Sequence, residues 1–320
     1  MLLPRLQAVT CSSPAGLHRM AYYEWGDPDN HEVLLCVHGL TRTGRDFDAL
    51  AKVLSTRYRV ICPDVAGRGL SDWLSNPALY GLPQYVSDMV TLIARLQPKR
   101  LHWVGTSMGG LIGLVYAGAL AQARHSIATL TPAQSHTTIP LTQLRLDSIV
   151  LNDVGPHLEP ESLARIGLYV GENVSFPSFE QAVQYVRMTC ESFGPHTPEQ
   201  WADLTQYVYV EQAGQWVKHY DLTLAVPFKQ LTPELAAQGE AFLWGAFASL
   251  SVPIQIIRGQ QSDLLSEQTC QKMLQFQPQA RLTEIAGVGH APTLMATAQI
   301  NVVTDFLLSQ TAQDSQALRH

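Results

Sequence analysis

Residues Gly105–Gly109 read G-T-S-M-G, the residue types and spacing of a nucleophile elbow. An apolar, strand-like run precedes this segment and a helix-like run follows it. In that context, a sharp turn lifts a serine hydroxyl above the end of a sheet. Side chains two residues before or after the serine would collide across the turn, and glycine stands at both positions. Ser107 is therefore the predicted nucleophile, with a strained backbone. The alternative is a glycine-rich turn that holds an incidental serine.

A serine hydroxyl needs a base that takes its proton, and His290 is the predicted base. Of the histidines downstream of Ser107, His290 alone follows a predicted terminal core strand, Arg281–Ile285. The loop around it reads G-V-G-H-A-P. Such a loop can present an imidazole over the edge of a sheet.

The carboxylate that orients the histidine has two candidates, Asp263 and Asp153. Each follows a predicted core strand, at the carboxyl edge where sites form in open α/β folds. Asp153 stands just before Gly155 and Pro156, which is typical of a turn-forming residue. No other role is evident for an acidic residue in the loop that contains Asp263. Asp263 is the favoured third member, and Asp153 stays the alternative.

The developing negative charge of an acyl-transfer reaction needs two convergent backbone N–H groups. The sequence predicts that Leu40 and Met108 supply them, because Met108 follows the nucleophile and Gly39 lets the backbone before Leu40 pass close to it. His38 is expected to brace this turn and not to titrate. Arg42 is interpreted as a solvated loop arginine, with contact to a substrate carboxylate as the alternative.

These features together resemble the α/β-hydrolase superfamily, in its capped, esterase-like branch. The resemblance rests on the elbow, the His38-Gly39 pair, the loop Asp64–Asp72, Arg258-Gly259 with Asp263, and Gly289-His290, and it covers about residues 20–120 and 250–310. It implies an α/β fold: a mostly parallel, eight-stranded sheet flanked by helices, with an inserted helical cap. Relatives with an aspartate nucleophile are disfavoured, because a serine stands at that position.

Alternating strand and helix patterns position these residues, which favours right-handed βαβ units and a parallel sheet. An antiparallel pair, Leu6–Thr10 and Met20–Trp25, opens the chain. Buried strands are predicted at Val33–Val37, Tyr58–Pro63 and Ser148–Leu151, and further strands of the sheet at Leu101–Val104, Pro253–Ile257 and Arg281–Ile285. Helices are predicted at Phe47–Leu54, Pro83–Gln97, Leu111–Leu120 and Ala298–Ser309.

The predicted domain organisation is a core in two parts, residues 1–156 and 251–320, interrupted by a helical cap at 157–250. The cap region is rich in aromatic residues and shows no parallel-strand pattern. Trp201, Trp216 or Trp244 is predicted to lie over Ser107; the alternative is that these side chains form the cap's own core. Gln122–Thr142 has no periodicity and is interpreted as a surface loop or frayed helix.

Composition narrows the function classes. Of 320 residues, 46% are hydrophobic and 15% are charged, which indicates a large core with a sheet covered on both faces. A net charge of −6 without a Lys/Arg cluster argues against nucleic-acid and membrane partners. No spanning segment, signal peptide or C-x-x-C pair is evident, so a cytoplasmic protein with reduced thiols is expected. Cofactors and metals are not expected, and the protein is predicted to be a monomer or homodimer.

The best-supported function is a serine hydrolase that cleaves small to medium carboxylic esters through an acyl-enzyme. The resemblance keeps a C–C bond hydrolase or an enol-lactonase open, since the same triad serves those reactions. A ligand-binding homologue without catalysis is the third reading, and an intact triad argues against it.

Overall fold

A computed structural model describes residues 3–128 and 146–317 of the chain. The segment at 122–142, interpreted as a surface loop or frayed helix, begins as helix, since the helix after the elbow runs through Ala128. The rest of that segment, residues 129–142, lies outside the described residues.

Eleven strands are present among the described residues, numbered in chain order. They are β1 (Arg5–Ser13), β2 (Gly16–Trp25), β3 (Glu32–Val37), β4 (Arg59–Pro63), β5 (Arg100–Thr106), β6 (Ser148–Asn152), β7 (Ser175–Phe176), β8 (Tyr209–Gln212), β9 (Gln215–Lys218), β10 (Ile254–Gly259) and β11 (Arg281–Ile285). Eight of them form one sheet in the order β1-β2-β4-β3-β5-β6-β10-β11.

The large sheet is parallel from β4 to β11, and the β1–β2 and β2–β4 pairs are antiparallel. This confirms the predicted mostly parallel, eight-stranded fold. The strands β3, β5, β6 and β10 are buried almost throughout, as expected when helices cover both faces. Because β3 and β6 flank β5, the loops that leave these three strands emerge side by side at one sheet edge.

Ten α-helices are present among the described residues. They are α1 (Asp48–Leu54), α2 (Leu82–Leu96), α3 (Met108–Ala128), α4 (Pro160–Val170), α5 (Phe179–Thr189), α6 (Pro198–Thr205), α7 (Val226–Lys229), α8 (Pro233–Ala248), α9 (Glu267–Phe276) and α10 (Thr297–Ala317). Apolar periodicity placed α2 correctly: its residues Tyr85, Met89, Ile93 and Leu96 are all buried.

The chain between β6 and β10 forms α4 to α8 and a small antiparallel sheet in the order β7-β9-β8. We call residues 157–250 the inserted segment. The sequence predicted helices there and missed this sheet, because its strands are only two to four residues long and show little alternation. That the segment is a separate cap domain stays a prediction.

The five cysteines are all free thiols. Cys36 and Cys62 are fully buried in β3 and β4, as predicted for small apolar side chains. No helix of the described chain combines the length and apolar character needed to cross a bilayer.

Candidate active site

The elbow joins β5 to α3 at Ser107, whose φ of +53° lies in the left-handed region, in keeping with the strained backbone predicted there. A Cβ atom on Gly105 would overlap the backbone of Gly109. One on Gly109 would overlap the carbonyl of Val37 in the neighbouring strand. The Ser107 N–H donates to the Asn152 carbonyl at 2.9 Å, which fixes the turn against β6. Both glycines are therefore required by close backbone approach.

Three side chains form a continuous hydrogen-bonded chain at this edge. Ser107 Oγ lies 2.9 Å from His290 Nε2, and His290 Nδ1 lies 2.7 Å from Asp153 Oδ2. A carboxylate oxygen can only accept a hydrogen bond, so Nδ1 must be the donor and carries the proton of the neutral ring. Nε2 is then left as the acceptor that faces the serine hydroxyl.

Asp153 is held by the end of β10 and by the loop that follows it. It is the first residue after β6, it is fully buried, and its φ of +56° turns the chain sharply. Its Oδ1 accepts from the Gly259 N–H at 2.7 Å, and its Oδ2 accepts from Ser262 Oγ at 2.6 Å. These bonds compensate the desolvation of a buried carboxylate and fix its direction.

The prediction that Asp263 orients His290 is wrong. Asp263 lies four residues beyond the end of β10, where the chain has left the sheet edge, and its side chain is 50% exposed. Its carboxylate forms an ion pair with Arg165 of α4. The site is instead supported by Gly259, at the end of β10, and by Ser262 of the loop that contains Asp263, since both donate hydrogen bonds to Asp153.

The predicted oxyanion hole lies beside the nucleophile. A Cβ atom on Gly39 would stand 3.7 Å from Ser107 Cβ, so the backbone leading to Leu40 passes close to the serine. His38 braces this turn, as predicted: its Nδ1 bonds to the Gly39 carbonyl at 2.6 Å, and its Nε2 accepts from the Val65 N–H at 2.9 Å. Burial lowers the pKa of His38 to about 3, which keeps the ring neutral. That the N–H groups of Leu40 and Met108 bind an oxyanion stays a prediction.

Comparison with known proteins identifies the family of this fold. The sequence model of the alpha/beta hydrolase family matches residues 34–301, more than half of the chain. The chain is an alpha/beta hydrolase.

Among curated relatives, it is 48% identical to a 3-hydroxybutyrate-oligomer hydrolase of Cupriavidus necator, over 95% of this chain and 97% of that protein. Among solved structures, it resembles an alpha/beta hydrolase from Novosphingobium aromaticivorans at 31% identity and a TM-score of 0.78, covering 96% and 99% of the two chains. An esterase from Mycobacterium tuberculosis, at 20% identity and a TM-score of 0.64 over 95% and 91% of the chains, shows a similar fold.

A cavity of about 280 Å³ opens onto the serine and histidine of this hydrolase. That volume is at the small end of the roughly 300–1,000 Å³ typical of ligand sites. Loops at the sheet edge form one side, and the inserted segment forms the rest. The aromatic side chains that line it are Tyr169, Tyr185, Phe193, Tyr209 and Tyr220.

The prediction that a tryptophan lies over the nucleophile is wrong, since none of the three lines the cavity. Trp201 is buried in the apolar cluster of the inserted segment, and Trp216 packs against that cluster. Trp244 packs against Phe247 and Phe276. The alternative reading, in which these aromatics are structural, fits all three.

Arg42 lines the cavity but is not the solvated loop arginine expected from the sequence. Its side chain is 11% exposed, and it donates two hydrogen bonds to Asp46 at 2.7 Å and one to the Leu204 carbonyl at 2.8 Å. The guanidinium is therefore already paired with a carboxylate and tied to the inserted segment.

Sequence reasoning missed three residues that position the histidine loop. Asn152 donates to the Pro292 carbonyl at 2.8 Å, Ser262 bonds to Asp153, and Ser192 Oγ donates to the His290 carbonyl at 3.0 Å. The position of Asn152 at the end of a buried strand was the one local signal. The roles of Ser192 and Ser262 depend on contacts between segments distant in sequence.

A separate buried group lies on β1, β2 and α2. Ligand atoms of Cys11, His18 and Asp88 lie within 4.8 Å of one another, although Asp88 is distant in sequence from the other two. Asp88 accepts from Gln84 at 2.7 Å and bonds to His18 at 3.0 Å. Burial raises the pKa of Cys11 to about 12, which disfavours the thiolate that a metal would need. The expectation that the protein uses no metal stays a prediction.

Proposed function

We propose that this hydrolase is a serine carboxylesterase that works through an acyl-enzyme. The observation that carries the proposal is the hydrogen-bonded series Ser107–His290–Asp153 at the floor of a cavity. A nucleophile, a base and an orienting carboxylate in this arrangement are what acyl transfer requires.

In this mechanism, Ser107 Oγ attacks the ester carbonyl carbon while His290 Nε2 takes the hydroxyl proton. Asp153 keeps the imidazole in the required tautomer and stabilises the imidazolium. The N–H groups of Leu40 and Met108 stabilise the oxyanion. His290 then protonates the leaving alcohol, and it activates the water that releases the acid and restores the serine.

The substrate class we propose is a short oligoester of a 3-hydroxy acid. The relative from Cupriavidus necator, which bears the name 3-hydroxybutyrate-oligomer hydrolase, aligns with 95% of this chain at 48% identity. The small volume of the cavity suits one or two such units, and its aromatic walls suit their methyl groups.

Labelling with a fluorophosphonate probe tests the nucleophile. Wild-type protein should be labelled and should release p-nitrophenol from p-nitrophenyl butyrate. Ser107→Ala should do neither, with a loss of about 10⁴-fold or more in kcat. Thr106→Ser, a change one residue away, is the matched control and should still react. Labelling that persists in Ser107→Ala would overturn the assignment.

Turnover of a ring-cleavage dienoate but of no ester would favour a C–C hydrolase.

A further inference from the structure

The cavity contains one lysine that the proposed mechanism does not use. Lys218 ends β9 in the inserted segment, and its side chain is only 6% exposed although it lines the same cavity as Ser107. Its Nζ donates to the Tyr169 carbonyl at 2.9 Å and lies 5.5 Å from the centre of the Tyr220 ring.

The other two cations of the cavity wall are neutralised at close range. Arg42 is paired with Asp46, and Arg165 is paired with Asp263. The carboxylate nearest to Lys218 among the described residues belongs to Glu172, and its oxygen is 3.9 Å away. That oxygen already accepts from the Tyr185 hydroxyl at 2.5 Å. The ion pair of Lys218 is therefore long and its acceptor oxygen is shared with Tyr185, whereas both arginines are paired at close range.

Two tyrosine hydroxyls near Lys218 are further hydrogen-bond donors. Tyr209 and Tyr220 line the cavity and are more than nine-tenths buried. Among the described residues, neither hydroxyl has a hydrogen-bond partner. Desolvation lowers the pKa of Lys218, and Glu172 partly opposes that shift. A bound anion would stabilise the charged ammonium and accept from the free hydroxyls.

We propose that Lys218 binds the free carboxylate of the substrate, on the alcohol that departs when the ester bond is cleaved. This inference rests on the proposed function. In a dimer of a 3-hydroxy acid, the leaving alcohol is itself a hydroxy acid, so its carboxylate lies a few bonds from the ester carbonyl. Lys218 would thereby select oligoesters that end in a free acid over neutral esters of the same size.

The experiment compares the 3-hydroxybutyrate dimer with its methyl ester, which removes only the negative charge. Wild-type protein should prefer the free acid by about 10- to 100-fold in kcat/KM, the range expected for a hydrogen bond to a charged group. Lys218→Met, which keeps the apolar stem, should lose that preference. Because both dimers are measured on the same variant, the ratio of their kcat/KM values is the readout, and it should fall to about one. Lys229→Met, at an exposed position outside the cavity, is the matched control and should behave as wild type.

The outcomes separate this inference from the proposed function. If wild-type protein hydrolyses both dimers equally well, or if Lys218→Met keeps the preference for the free acid, the role of Lys218 is wrong while the esterase stands. If wild-type protein hydrolyses no ester at all, the proposed function itself fails. The wild-type comparison needs no variant. Equal hydrolysis of the two dimers would therefore overturn the role of Lys218 even if Lys218→Met does not fold.

Discussion

At the scale of single residues, the carboxylate of Asp153 has a demanding environment. It is fully buried, and it accepts from Gly259, Ser262 and His290. Burying a carboxylate costs free energy unless hydrogen-bond donors surround it. The three donors therefore stabilise the Asp153 carboxylate and fix its orientation. Asp263, half exposed and paired with Arg165, lies in the setting of an ordinary surface ion pair.

The two aspartates should therefore respond differently to the same change. Asp153→Asn should lower kcat on p-nitrophenyl butyrate by about 10⁴-fold, because an amide N–H facing Nδ1 favours the tautomer that cannot accept the serine proton. Asp263→Asn should lower it only slightly. Circular dichroism of both variants checks that the fold is kept. A larger loss in Asp263→Asn would restore the acid favoured from the sequence.

At the scale of elements, the elbow depends on how closely α3 approaches the sheet. The first turn of α3 begins directly after Ser107, and Gly109 stands against the Val37 carbonyl of β3. A backbone atom cannot move aside as the end of a flexible side chain can. The position of Ser107 is thus tied to the spacing between this helix and its neighbouring strand.

Gly109→Ala should displace the elbow, with loss of activity and a clear fall in Tm. Gly239→Ala is the matched control, since Gly239 is exposed in α8 and nothing lies within 4 Å of an added Cβ. Alanine should favour that helix by up to about 1 kcal/mol. Thermal melting and the ester assay together check the pair. Equal activity and equal Tm in the two variants would show that the close approach at Gly109 does not position the elbow.

At the scale of the whole molecule, the inserted segment both encloses the cavity and contacts the histidine loop. The Gly289 N–H donates to the Ser192 carbonyl at 2.6 Å, and His196 Nε2 lies 2.8 Å from Thr293 Oγ1. The same segment carries most of the side chains that line the cavity, among them Tyr169 and Lys218. The shape of the cavity and the position of His290 therefore both depend on how this segment packs.

Two aromatic residues of this segment should separate structural from substrate roles. Trp201→Ala should destabilise the protein by roughly 3–5 kcal/mol and leave its preference among acyl chain lengths unchanged, because the ring is 5% exposed in an apolar cluster. Tyr169→Ala should change that preference with little effect on Tm, since its side chain lines the cavity and the residue is 39% exposed. A panel of p-nitrophenyl esters and thermal melts measure both. A changed preference in Trp201→Ala would mean that the tryptophan reaches the substrate.

The sequence by itself determined the features whose cause is local. Apolar runs predicted the buried strands, periodicity predicted the buried face of α2, and the glycines around Ser107 predicted the elbow. His290 followed from its place after the last strand. These inferences succeed because strand burial, helix amphipathicity and turn sterics depend on residues near one another in the chain.

Only the tertiary structure decided which acid meets His290 and which side chains form the cavity. Asp153 and Asp263 follow different strands of the same sheet, so both were compatible with the pattern. The choice depends on Asp153 leaving β6 at the edge itself, while the chain has left that edge by Asp263. Likewise, whether an aromatic residue faces the substrate or its own segment's core depends on how that segment docks. Such contacts join residues about a hundred or more positions apart, and no local pattern encodes their distance.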